Sequence, residues 1–156
     1  MKAPMILRWL LVAMLILSIP TLSLACTETV GIAGDSMAPT ITHGQSVTLE
    51  RNAYDSANPK RGDILLIRIE EDQGFPSRVV GLPEETITIE DGLVYVNGTL
   101  LDEPYLPPGT ITESDATIFN VPSGNYFVLG DNRAQAIDSR EGFFVPLSTI
   151  IGKLIP

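Results

Sequence analysis

Apolar and polar residues follow two different patterns along this chain. From Trp9 to Ala25 the sequence is apolar with few interruptions, with Lys2 and Arg8 ahead of it and no further charge until Glu28. Coiled as a helix at about 1.5 Å per residue, this run reaches the short end of what crosses a hydrocarbon core of about 30 Å. From Cys26 onward the pattern changes to short alternating or β-branched runs, cut by many of the chain's 12 prolines and 13 glycines. Runs at 45–50, 63–69, 85–90, 93–96, 126–129 and 148–154 predict strands. Asp91-Gly92 is a two-residue hairpin signal between two of them, and Asn97-Gly98 closes the next. Asn97-Gly98-Thr99 also fits a glycosylation acceptor, but the turn reading is preferred. With Pro104, Pro107 and Pro108, the stretch 101–110 predicts an extended connector outside any sheet. The expected fold is mainly β: a compact antiparallel β-sheet domain over 27–156, preceded by one N-terminal transmembrane helix or signal anchor over 1–26.

Composition narrows the function. A hydrophobic fraction of 44% supports a packed core. The net charge of −9 and scattered basic residues argue against nucleic-acid binding. With one cysteine and one histidine, neither an intrachain disulfide nor a Cys- or multi-His-based metal centre is expected. No cofactor is implied. Basic residues before the apolar run and none after it place the N-terminus in the cytoplasm and the β domain outside. Three fates fit residues 1–25: a retained anchor, a signal peptide cleaved after the small residues Ser23 and Ala25, or lipidation at Cys26. The anchor is favoured because it holds Ser36 close to the membrane surface.

Ser36 is the candidate for chemistry. It lies in Gly34-Asp35-Ser36-Met37-Ala38-Pro39-Thr40, a context that alone says little, since loop serines usually turn or cap the backbone. Further segments follow in order: Arg61-Gly62-Asp63-Ile64, Arg78-Val79-Val80-Gly81-Leu82-Pro83, Val94-Tyr95-Val96-Asn97-Gly98 and Asp102-Glu103-Pro104-Tyr105. Gly130-Asp131-Asn132-Arg133, Asp138-Ser139-Arg140, Gly142 and Phe144-Val145-Pro146 complete the series. Taken together, residues 28 to 153 resemble the type I signal peptidases.

The resemblance implies that family's β fold, and substrates that are signal peptides of exported pre-proteins, cleaved after small-x-small sites. It also implies a single-pass protein of a bacterial-type cytoplasmic membrane, with the lipid bilayer as its other partner. Ser36 corresponds to the family's nucleophile, which a lysine kept neutral by desolvation deprotonates. That lysine directly precedes the segment beginning at Arg78, and here the position is Ser77. A hydroxyl is too weak a base to act alone. Lys2 lies on the wrong side of the membrane, Lys60 and Lys153 occupy other segments, and His43 reads as an exposed turn residue rather than a base. The serine that holds the lysine in the family is replaced by Ala136. Pro76 removes one backbone donor from the strand expected to pair with substrate. Asp138 and Arg140 match the pair that braces the family's site, or else form a surface pair worth about 0–1 kcal/mol. Gly34 and the Ser36 backbone N–H are candidates for an oxyanion site. Ile32 and Met37 are candidates for the pockets taking small side chains, with Val30 and Phe75 beside them. Asp63 and Asn97 read as structural groups at strand ends.

Two functional classes follow from the resemblance. One is a serine endopeptidase working through Ser36. The other is a catalytically impaired homologue that binds signal peptides or exported, pilus-type subunits by strand addition. The self-cleaving repressors share this β fold, but the apolar N-terminus and lack of a DNA-binding segment count against them.

Overall fold

The computed structural model describes residues 26–70 and 73–156. The predicted anchor over 1–26 lies outside the described residues except for Cys26. Among the described residues no helix is long and apolar enough to cross a membrane.

The described chain is built from β1 (Thr27–Gly31), β2 (Ser46–Glu50), β3 (Ile64–Glu70), β4 (Gln73–Gly81), β5 (Thr86–Glu90), β6 (Leu93–Val96), β7 (Thr99–Leu100), β8 (Ile118–Asn120), β9 (Asn125–Leu129), β10 (Val145–Pro146) and β11 (Ile150–Ile155). Every strand pair is antiparallel. A 7-stranded sheet runs β1-β2-β11-β3-β4-β9-β10, and a 4-stranded sheet runs β7-β6-β5-β8. Both predicted hairpin turns form, with Asp91 and Gly92 at φ 52 and 76° and Asn97 and Gly98 at φ 50 and 78°. Two consecutive positive φ values match the right-handed twist of the strands they join. The stretch 101–110 carries no strand, in line with its prolines.

Three apolar clusters hold the sheets together. Val80, Phe127 and Leu129 of the large sheet pack against Ile87, Ile89, Val94 and Phe119 of the small one. Ile32, Met37, Ile41, Val47, Leu49, Ile64 and Leu154 form a second cluster beneath the chain around Ser36. Leu65, Ile67, Val79, Tyr126, Val128 and Val145 form the third. Because Val79 belongs to one cluster and Val80 to another, β4 is covered on both faces and is buried from Pro76 to Gly81. That continuous burial erases the period-two pattern, which is why alternation alone missed this strand. β1 was missed for the opposite reason: Thr27-Glu28-Thr29 is an exposed edge that carries almost no apolar signal. Side chains also link the loop after β1 to the chain leaving β9. The Thr40 hydroxyl, on the loop after β1, donates to Asp131 Oδ2, just past β9, at 2.5 Å.

Candidate active site

The pairing of β1 with β2 continues past Gly31. Ile32 N–H donates to the Gln45 carbonyl at 2.9 Å, and Gly44 N–H donates to the Ile32 carbonyl at 2.8 Å. The chain then turns sharply at Gly34, whose φ of 92° suits a residue without a Cβ. The turn is drawn tight by Ala38 N–H to the Asp35 carbonyl at 3.1 Å and Ile41 N–H to the Met37 carbonyl at 2.9 Å. Met37 and Ile41, 1% and 0% exposed, pin it to the core. Ser36 is held half-buried at its apex.

The wall beside this turn comes from β4 and the chain leaving β9. Arg78 pairs with Leu129, so the register brings Ser77 opposite Gly130. A Cβ on Gly130 would lie 2.2 Å from the Ala136 Cβ and 2.6 Å from the Ser36 carbonyl oxygen. The Ser36 turn, Gly130 and Ala136 are therefore in direct contact, with Ser77 one strand away. Asn132 adds two clamps: its N–H donates to the Ser36 carbonyl and its Nδ2 to the Asp35 carbonyl, both at 3.0 Å. Ser77 is 1% exposed. Neither the Ser36 nor the Ser77 hydroxyl is hydrogen-bonded to another described residue.

The backbone of Gly130 is gripped from both sides by buried ion pairs. Its N–H donates to Asp138 Oδ2 at 3.0 Å, and its carbonyl accepts from Arg133 Nε at 3.1 Å. Asp138 is held by Arg140 through two bonds of 2.8 and 2.9 Å, with side chains 0% and 10% exposed. Of the two alternatives for this pair, the surface one is excluded: Asp138 is interior. Arg133 is paired with Glu103 at 2.5 Å. The third pair, Arg78 with Asp131, is also two-pronged at 2.8 and 2.6 Å. Arg78 further donates to the Gly62 carbonyl at 2.8 Å and stacks 4.0 Å above the Tyr105 ring. Burial, and then the Glu103 carboxylate that accepts the Tyr105 hydroxyl, push the Tyr105 phenol well above its ordinary range.

The other expected residues fall into place around this frame. Val79 exchanges backbone bonds with Asp63 and Gly62 on the β3 side, so the polar groups of Pro76 face the opposite edge. Among the described residues no strand pairs with β4 on that edge before Arg78. The missing Pro76 donor thus lies where an added strand would dock. Ile32, at 6%, and Met37, at 1%, are built into the core, while Val30 and Phe75 are only half-buried. His43 is exposed on its turn, and its Nδ1 accepts the Gly34 N–H at 3.0 Å. Of the two expected oxyanion groups, Gly34 N–H is therefore already committed, whereas Ser36 N–H has no acceptor among the described residues. Lys153 Nζ binds Asp63 at 2.7 Å, away from Ser36, and Lys60 is exposed. Asp63 is a strand-end group as expected. Burial alone would raise its pKa, but the Lys153 ammonium, the Lys60 N–H and the Tyr54 hydroxyl together hold it below the usual value. Asn97 caps its own hairpin by accepting the Thr86 N–H. A cleft of about 690 Å³ opens beside the turn, bounded by Ala38, Asn132 and Ala136 on one wall and Pro107 and Ser114 on the other.

Asp131, Arg133, Glu103, Tyr105 and Thr40 were not singled out from the sequence, although all lie in segments quoted for the resemblance. Their partners are far away along the chain, and no local pattern announces such pairs.

A half-buried serine on a hydrogen-bonded turn, beside a strand edge without a described partner, leaves room for an extended chain to dock next to a hydroxyl. The family described as Signal peptidase, peptidase S26, matches residues 5–155. Signal peptidase I of Bacillus caldolyticus is 34% identical over 148 residues, covering 87% of this chain and 81% of that protein. Signal peptidase I U of Bacillus subtilis is 35% identical over 123 residues, covering 74% of this chain and 66% of that protein. A crystal structure of a signal peptidase I from Enterococcus faecalis superposes with a TM-score of 0.53 at 33% identity, covering 63% of this chain and 97% of that one. The chain belongs to the signal peptidase family, serine endopeptidases that remove signal peptides.

Proposed function

We propose that this chain cleaves signal peptides after small-x-small sites with Ser36 as nucleophile, held at the outer face of a bacterial-type cytoplasmic membrane by residues 1–26. The observation carrying this reading is the fixed Ser36 turn, bonded through Asn132 and packed on Gly130 and Ala136 beside the open β4 edge. The signal peptide would lie along that edge and bring its scissile carbonyl to Ser36. The Ser36 hydroxyl would attack the carbonyl carbon, and the resulting oxyanion would accept the Ser36 N–H. As the carbonyl–nitrogen bond breaks, the hydroxyl proton would pass through a base from outside the described cluster to the leaving amine. The resemblance sets Ser77 at the base position, and a hydroxyl is too weak to take the proton.

A second reading is favoured by one specific observation. Ser77 is sealed at 1% exposure, Ala136 packs on Gly130 beside the Ser36 turn, and neither described lysine belongs to this cluster. In that reading the chain binds signal peptides or exported subunits without turnover. Removing one member of a catalytic unit costs several orders of magnitude, although about 10³–10⁴-fold over water survives in known cases.

The test is cleavage of a pre-protein with an Ala-x-Ala site by the full chain in detergent, beside Ser36→Ala and Ser77→Lys. Wild-type cleavage that is lost in Ser36→Ala supports the peptidase. An inert wild type that still binds the pre-protein, with cleavage restored in Ser77→Lys, supports the binder.

A further inference from the structure

We propose that His43 is a positioning residue for the Ser36 turn, holding it through a hydrogen bond that only the neutral imidazole can accept. The proposal rests on the reading of Ser36 as the reacting group. Two bonds tie the His43 turn to the residues just before Ser36. Gly34 N–H donates to His43 Nδ1 at 3.0 Å, and His43 N–H donates to Asp35 Oδ1 at 3.1 Å. The backbone rungs between Ile32 and Gly44 and between Ile32 and Gln45 lie directly beneath, so the imidazole closes the last open gap of that ladder.

The bond has two consequences for the site. First, it holds Gly34 at its φ of 92°, the angle that directs the chain into Asp35 and Ser36. A glycine there has no side chain to fix its backbone, so an external acceptor must do so. Second, it keeps the Gly34 N–H turned toward His43, which leaves the Ser36 N–H as the donor free to meet a developing oxyanion. The geometry also fixes the tautomer. Nδ1 must carry the lone pair and Nε2 the proton, with Nε2 on the exposed side of the ring.

Protonation would place a donor on Nδ1 against the donor on Gly34, and the bond would be lost. Asp35 is the one charged side chain hydrogen-bonded to this turn among the described residues, through the His43 backbone rather than its ring.

The test compares the full-length wild type with His43→Ala and His43→Asn, using two readouts. Asn places an amide oxygen near the position of Nδ1, so it rescues the acceptor. The first readout is the Gly34 amide resonance in a nitrogen-15 spectrum of the protein in detergent at about pH 8. It is expected to shift in His43→Ala, where the acceptor is lost, and to stay close to the wild-type position in His43→Asn. A Gly34 resonance unchanged in His43→Ala overturns the proposal. The second readout is cleavage of the Ala-x-Ala pre-protein. His43→Ala is expected to lose about five- to tenfold in kcat at little change in KM, with His43→Asn close to wild type. Equal kcat in His43→Ala and wild type overturns the proposal, as does equal loss in both variants. The kcat comparison applies to a wild type that cleaves. A Gly34 amide shifted in His43→Ala and restored in His43→Asn, in a protein that does not cleave, counts against the peptidase reading alone and leaves the hold on the turn standing, so the two failures are distinguishable.

Discussion

Ser77 and Arg78 are consecutive residues on β4, and their surroundings differ sharply. Side chains alternate along a strand, so the two point to opposite faces of the sheet. On one face Arg78 is fully engaged by Asp131, the Gly62 carbonyl and the Tyr105 ring. On the other, Ser77 is as deeply buried and makes no side-chain hydrogen bond to a described residue. The ion pairs around the Ser36 turn thus rest on Arg78, Arg133 and Asp138, and the Ser77 side chain adds no bond to them among the described residues.

The largest effect is therefore expected at Arg78. Arg78→Ala would strand the Asp131 carboxylate in the interior, and breaking a buried pair this way costs about 3–5 kcal/mol. Ser77→Ala removes a hydroxyl that makes no hydrogen bond to a described residue, and should change stability by less than about 1 kcal/mol in either direction. Urea denaturation of the two variants gives the difference directly. Equal destabilisation would mean that Ser77 belongs to the frame after all.

Gly130 is the sharper probe, because it touches both regions at once. Asp138 holds its N–H, Arg133 holds its carbonyl, and the Ser36 carbonyl and Ala136 methyl occupy the space a side chain would need. Gly130→Ala should destabilise by about 1–3 kcal/mol through overpacking and should displace the Ser36 turn. Adding Ala136→Gly removes the 2.2 Å clash but leaves the 2.6 Å approach to the Ser36 carbonyl. Stability should thus recover in part and cleavage less so. Full recovery of both would show that the turn gives way easily and is not fixed by this wall.

How much of this was legible beforehand follows from the same distinction. Strands β2, β3, β5, β6, β9 and β11 were foreseen to within two residues, as were both hairpin turns, because half-buried strands and Gly-containing turns write local patterns. β4, buried on both faces, was expected only through the resemblance; β1, with its exposed start, and the short β7, β8 and β10 were not foreseen. The serine turn and the residue at position 77 were legible only through the resemblance, since nothing local marks a loop serine as reactive. Of the grip on Gly130, the Asp138–Arg140 pair was expected through the resemblance, whereas the Arg133–Glu103 pair was not legible. Glu103 lies 30 residues from Arg133, and Arg78 lies 53 from Asp131, so these pairs exist only once the sheet has closed. His43 was correctly placed on an exposed turn, yet its bond to Gly34 depends on a side-chain orientation that sequence does not encode.

The smallest effect is expected where a charge pair serves the framework at its rim. Lys153 and Asp63 join β11 to the start of β3 at 2.7 Å, with side chains 36% and 13% exposed. Solvent screens such a pair, so Lys153→Met should cost no more than about 1 kcal/mol at neutral pH. Its pH dependence separates it from the buried pairs. Asp63 is held below its ordinary value of 3.8 in the folded protein. Its contribution is therefore fully present above that value and is lost as pH falls through the lower folded value. In Lys153→Met the folded value should move back up, so that this acid-induced loss shrinks in urea titrations between about pH 2 and 4. Cleavage at neutral pH should match the wild type, because neither residue belongs to the Ser36 cluster. A clear loss of cleavage would tie the β3 end of the frame to the reactive turn and erase the separation seen at Ser77 and Arg78.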